Sequence, residues 1–182
     1  MPGATSDITL SELGWVADHI GLRPGGLLVD LGCGRGGPGL WVARRLKAVL
    51  LGLDLSREAV GLAREQSQGY PATYLQRDFH ATDLPEASAD GALSIDALWH
   101  SNDLGGALRE AGRILKPGAR LVFSLVEQER LDLSDLGLKL IDEHPCQGWR
   151  ERRMEFQRRA QEQGLRLADL TTFQRRLVVM QR

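Results

Sequence analysis

Leu28-Val29-Asp30-Leu31-Gly32-Cys33-Gly34-Arg35-Gly36-Gly37-Pro38-Gly39 is the stretch whose reading decides the fold. The apolar run Leu27, Leu28, Val29, Leu31 predicts a buried parallel strand; a glycine turn follows at once, and Leu40-Trp41-Val42-Ala43 opens a helical pattern. Strand, glycine turn and helix together make a nucleotide-binding crevice. Gly32, Gly34 and Gly37 satisfy G-x-G-x-x-G, a weak signal by itself. Asp30 discriminates further. An acid at the carboxyl end of the strand, two positions before the first glycine, would repel a pyrophosphate and suits a ligand that brings positive charge there.

Working outward, apolar runs alternate with amphipathic stretches, the pattern of a parallel sheet covered by helices. Helices are expected at 9–20, 38–46, 57–68, 104–115 and 149–163. Strands are expected at 27–31, 48–53 (ending in Asp54), 72–77, 91–95 and 119–126, with 138–142 as a sixth strand and 177–180 closing the sheet. The expectation is a doubly wound, mostly parallel seven-stranded α/β sheet in one domain spanning 1–182. Residues 1–22 form a helical cap, and 145–163 hold a candidate lid helix. The segment between strands five and six is short, its helix compressed into 131–136. An alternative makes 165–170 strand six, with 149–163 an ordinary helix before it and the substrate pocket open.

The chain has 182 residues with a formal net charge of −1, which argues against a general nucleic-acid or membrane-surface binder. No apolar stretch approaches a membrane span, and the first thirteen residues lack the pattern of a signal peptide. Two cysteines, Cys33 and Cys146, make neither a disulfide framework nor a metal pattern, so no metal is expected and a reduced, cytoplasmic setting is the default.

Asp30, Asp54 and Asp78 stand at the carboxyl ends of three successive predicted strands, the ends that line a ligand crevice in an open sheet. Asp54 lies twenty residues after Gly34, where an acid that binds ribose hydroxyls belongs; its two acceptor oxygens match a vicinal diol.

This constellation resembles the class I S-adenosylmethionine-dependent methyltransferases of the small-molecule group (methyltransferase type 11, ubiquinone-biosynthesis-like) over nearly the whole chain. D-x-G-x-G-x-G is met by Asp30, Gly32, Gly34 and Gly36, the ribose acid and its apolar follower by Asp54-Leu55, and the adenine pair by Asp78-Phe79. Ser94-Ile-Asp96-Ala97-Leu-Trp99-His100 resembles the strand end at the methyl site. The resemblance implies S-adenosylmethionine as cofactor. Asp30, Gly32, Cys33, Gly34 and Gly36 would hold its methionine portion, Asp54 and Leu55 the ribose end, and Asp78 and Phe79 the adenine. Asp96 and Ala97 would border the sulfonium. Methyl transfer to an oxygen, nitrogen or carbon of a small molecule is then the expected reaction.

His100, just beyond strand four, is the candidate base, because an imidazole removes protons from hydroxyls or amines near neutrality. Trp99, His144 and Trp149 are candidate substrate contacts, Trp149 by closing at the start of the lid. His80 follows the adenine pair and faces solvent or closes the ring pocket. A homodimer or partner chain is one way to complete the pocket. Two competing functions remain open: a nicotinamide-dependent oxidoreductase, disfavoured by Asp30 and by the lack of a tyrosine-lysine pair at helical spacing, and a cofactor-binding domain that moves no methyl group. A nucleic-acid or protein methyltransferase is disfavoured by the absence of an Asn-Pro-Pro-aromatic tetrad after strand four.

Overall fold

The computed structural model describes residues 7–127, 136–162 and 174–182. In chain order the elements are α1 (Leu10–Ile20), β1 (Leu27–Leu31), α2 (Gly37–Leu46), β2 (Val49–Asp54), α3 (Arg57–Gln66), β3 (Ala72–Gln76), β4 (Gly91–Ser94), α4 (Leu104–Ile114), β5 (Arg120–Glu127), β6 (Lys139–Pro145), α5 (Trp149–Glu162) and β7 (Gln174–Gln181), with a 3₁₀ turn at Leu98–His100 before α4. They form a seven-stranded sheet in the order β3-β2-β1-β4-β5-β7-β6. The first five strands in that order pair parallel. β7 runs antiparallel to both β5 and β6.

The continuous apolar strands reflect burial on both faces. Leu28, Leu50, Leu93, Val122, Leu177 and Val179 face one core with residues of α1, α2, α3 and the start of α5. Their neighbours Val29, Leu31, Ala92, Leu121, Phe123 and Val178 face the other with Ala107, Leu108, Ala111 and Ile114 of α4. Thr9 caps α1 in a reciprocal box: its hydroxyl accepts from Glu12 N–H at 3.1 Å, and Glu12 Oε2 accepts from Thr9 N–H at 2.8 Å.

Strand six is Lys139–Pro145, next to β7; the alternative strand 165–170 lies outside the described residues, as does nearly all of the compressed helix at 131–136. β7 begins at Gln174, earlier than expected, because its two arginines before Leu177 continue the pairing with β5. No helix among the described residues is long and apolar enough to cross a membrane.

Candidate functional site

The order reverses between β1 and β4, so the ends of these strands diverge and leave a crevice at the switch point. The glycine loop lies over it. Gly32 and Cys33 donate their N–H groups to Leu53 O at 2.8 and 2.9 Å, tying the loop to the end of β2. Gly32 has φ +75°, and any Cβ there would overlap that of Ala97 while facing the Phe79 ring. Only glycine meets both demands. Gly36 caps α2 without a side-chain hydrogen bond, leaving the first N–H groups of that helix without a side-chain acceptor at the cap.

Asp30 is 2% exposed. Its carboxylate packs against the start of α2 so closely that a Cβ at Gly39 would overlap Oδ2. Burial, reinforced by the nearby charge of Asp54, pushes its carboxyl up to about 7. Among the described residues no cationic side chain pairs with it. A buried acid in that state favours a ligand bringing an ammonium group.

Asp54 closes β2 and braces the loop. Its Oδ2 accepts from Gly34 N–H at 2.7 Å and its Oδ1 from Ser56 N–H at 2.8 Å. Two single hydrogen bonds leave further acceptor capacity on the carboxylate. Leu55 beside it is 59% exposed, an apolar wall without cover.

Asp78 lies past the end of β3. Its Oδ1 accepts from His80 N–H at 2.9 Å and contacts His80 Nδ1 at 2.8 Å. These bonds, the backbone one foremost, hold its carboxyl below the usual carboxylate range. His80 Nε2 lies 2.7 Å from Ser101 Oγ, so the ring bridges the loops after β3 and after the 3₁₀ turn. Phe79 is partly buried against the α4-side core, with its ring 4.8 Å from that of His80.

Asp96, beyond β4, is a non-glycine residue in the left-handed region at φ +56°, a conformation that costs on the order of 1–3 kcal/mol and persists only where neighbours hold it. Ser124 of β5 and Arg175 of β7 do so. Asp96 N–H donates to Ser124 Oγ at 2.7 Å, the Ser124 hydroxyl donates to Asp96 Oδ1 at 3.0 Å, and Arg175 Nη2 stands 2.9 Å from the same oxygen. Ala97 lies against Gly32, and His100 ends the 3₁₀ turn at the surface with its ring partly covered. Burial, more than Arg153, lowers the His100 pKa, and Asp96 opposes the shift.

The crevice thus gathers Asp30, Gly32, Cys33, Gly34, Gly36, Asp54 and Leu55 on one side and Phe79, Asp96 and Ala97 beside them. Two expected substrate contacts stand elsewhere. Trp149 is 4% exposed and belongs to the core cluster that contains Leu177 and Val179, so it anchors α5 rather than closing on a ligand. His144 is on the outermost strand, stacked on Trp15 of α1 with ring centroids 5.1 Å apart. Trp99 occupies the 3₁₀ turn, with its side chain outside the described set.

Sequence reasoning missed Arg175, Ser124 and Glu12. Arg175 shares its strand face with Leu177 and Val179, an alternation that marks it as inward-facing. Glu12 pairs with Arg152 of α5 at 2.8 Å, and Arg153 pairs with Asp7 at 3.6 Å. The cap and α5 are therefore joined by ion pairs.

A family model described as "Methyltransferase domain" matches residues 29–123. The sterol 24-C-methyltransferase of Yarrowia lipolytica is 35% identical over 125 residues, which cover 66% of this chain and 32% of that protein. The chain spans about a third of the length of such curated relatives. Geranyl diphosphate C-methyltransferase from Streptomyces coelicolor A3(2), solved with Mg2+, geranyl diphosphate and S-adenosyl-L-homocysteine, superposes with a TM-score of 0.75 at 18% identity, covering 94% of this chain and 78% of that one. The [4+2]-cyclase SpnF superposes with a TM-score of 0.75 at 19% identity, covering 93% and 80%. At these identities the superpositions establish the fold.

Proposed function

The chain belongs to the methyltransferase domain family, and from that premise we propose that it transfers a methyl group from S-adenosylmethionine to a small-molecule acceptor, releasing S-adenosylhomocysteine. The observation that carries this reading is Asp30, a buried carboxyl with no cationic side-chain partner among the described residues, set against the N-terminus of α2. An acid beside a helix N-terminus suits a ligand with both an ammonium and a carboxylate, as an amino-acid moiety has. A dinucleotide would bring two phosphates to the same place, against Asp30 and Asp54.

The donor set fits the cofactor. Asp30 and the loop from Gly32 through Cys33 and Gly34 to Gly36 would hold its amino-acid end. Asp54 would accept from the ribose diol beside the apolar wall of Leu55. Asp78 would accept from the adenine amino group next to Phe79, and Asp96 with Ala97 would border the reacting end. When bound, S-adenosylmethionine supplies an electrophilic methyl group on a sulfonium. The remaining work of the protein is alignment and removal of a proton from the acceptor. His100 would take that proton, since burial favours its neutral imidazole. A single-domain, cytoplasmic enzyme with its two buried cysteines free belongs to the same proposal.

Calorimetric titration with S-adenosylmethionine, S-adenosylhomocysteine and NADH tests the cofactor. Saturable binding of the adenosyl ligands alone supports the proposal, and binding of NADH alone refutes it. Asp54→Ala should weaken S-adenosylhomocysteine binding by about 100-fold or more, the loss expected of hydrogen bonds to a charged group. Unchanged affinity would remove Asp54 from the site. Once an acceptor is found, His100→Ala should cut kcat by about 100-fold with cofactor affinity nearly constant, and should flatten the acid limb of the pH profile. An unaltered profile would return His100 to a structural role.

One finding favours a second reading: a cyclase shares this fold over 80% of its length. A chain that binds the cofactor and converts a substrate without forming S-adenosylhomocysteine would establish that alternative.

A further inference from the structure

Arg175 is the most deeply buried cation among the described residues: its side chain is 0% exposed. Its two nearest acids come from opposite parts of the chain, and Asp7, paired with Arg153 of α5, lies within electrostatic reach of both Arg175 and Asp96. Nη2 is 2.9 Å from Asp96 Oδ1 at the end of β4, and Nη1 is 3.8 Å from Glu12 Oε2 in the first turn of α1. Neither contact is aligned as a hydrogen bond, and among the described residues Nε has no acceptor either. Glu12 is itself shared: its Oε2 closes the α1 capping box and its Oε1 takes Arg152 of α5 at 2.8 Å.

A structural ion network is a poor explanation of this arrangement. A buried pair replaced by apolar side chains is often neutral or stabilising, and a misaligned guanidinium is costlier than an aligned one. What the arrangement does provide is connection. The sequence Asp96, Arg175, Glu12, Arg152 runs from the β4 end through β7 to α1 and α5. A guanidinium held by two imperfect contacts moves toward whichever acid pulls harder.

We infer that Arg175 is a positioning residue that couples the docking of α1 and α5 to the setting of Asp96. This rests on the proposal that the β4 end borders the transferred methyl group. A ligand that fixes Asp96 tightens α1 and α5 through Arg175, and by reciprocity a molecule held under those helices fixes Asp96. Arg175 touches no ligand in this role.

Amide hydrogen exchange of the whole chain tests it, with S-adenosylhomocysteine as the probe. In the wild type, saturation should slow exchange in the glycine loop and also, by about fivefold, in α1 and α5. In Arg175→Met the loop should still be protected while the response of α1 and α5 disappears, and Arg175→Lys should restore part of it. An equal α1 and α5 response in wild type and Arg175→Met overturns the inference, as does a wild type whose loop is protected while α1 and α5 do not respond. A ligand-free arm keeps it separate from the cofactor proposal. Asp96→Asn releases Arg175 toward Glu12, where it competes with Arg152, so α5 should exchange about fivefold faster. The same change in an Arg175→Lys background should have a smaller effect, and in Arg175→Met the smallest, what remains passing through Asp7 and Arg153. Equal effects in all backgrounds overturn the coupling. Lack of loop protection with an intact ligand-free response would overturn only the cofactor proposal.

Discussion

Asp30→Asn is expected to abolish S-adenosylmethionine binding and, at the same time, to make the ligand-free protein more stable at pH 8. The two effects share one cause. Burial lifts the Asp30 carboxyl from 3.8 to about 7. Below pH 4 it is protonated in both the folded and the unfolded chain, so it contributes nothing to the pH dependence of stability. Between about pH 4 and 7 the folded state holds the proton that the unfolded chain has released, so stability falls as pH rises. Above 7 the full cost of the buried charge is present, up to about 4 kcal/mol at 1.36 kcal/mol per pH unit. Asparagine has the same shape and no charge. Its melting temperature should exceed that of the wild type by about 5 °C or more at pH 8, with the gap narrowing toward pH 5. Ligand affinity of the wild type should run the other way, rising with pH up to about 7 as Asp30 ionises to meet an ammonium. Thermal melts and calorimetry at pH 5, 6.5 and 8 check both. A variant less stable than wild type at pH 8 would mean that the ionised carboxylate is already compensated.

Gly32→Ala should be the most damaging single change in the loop. At φ +75° an alanine pays for the left-handed region, and its methyl overlaps that of Ala97. The backbone part alone is about 1–2 kcal/mol, and the overlap must push the β4 end away from the loop. Loss of about 3 kcal/mol of stability and of measurable cofactor binding is expected. Adding Ala97→Gly removes the overlap but leaves the φ strain, so the double variant should recover stability in part. If Ala97→Gly gives no recovery in denaturant unfolding, contact between the loop and the β4 end is not what makes glycine necessary.

The crevice geometry was legible in the sequence because its determinants are local. Asp30, the glycines and Pro38 lie within one strand-turn-helix unit, and Asp54 is placed by the next strand end. The docking of α1 and α5 rests on distant partners: Arg152 meets Glu12 across 140 positions. Arginines and glutamates on a helix such as α5 read as a solvated face, and nothing local tells a buried one apart. Trp149 follows the same logic, since an aromatic at a helix start packs inward or outward according to tertiary neighbours. β6 gives a weak pattern because Lys139 through Asp142 are all exposed, which leaves no alternation to place His144. The glycine loop also hid a second task of Asp54, since a hydrogen bond to Gly34 N–H is a property of the folded loop and not of spacing.

The place of β7 sets a timetable for synthesis. It follows every other strand in sequence, yet it lies between β5 and β6 and pairs with β5 from Arg120↔Gln181 to Glu127↔Gln174. While the chain emerges from the ribosome, β1 to β5 can assemble their parallel array, but β5 keeps a bare edge until residues 174–181 arrive. Unpaired edges of this kind invite chaperones and aggregation. Because Arg175 rides on that late strand, the nascent protein can shape its glycine loop well before Arg175 can reach Asp96.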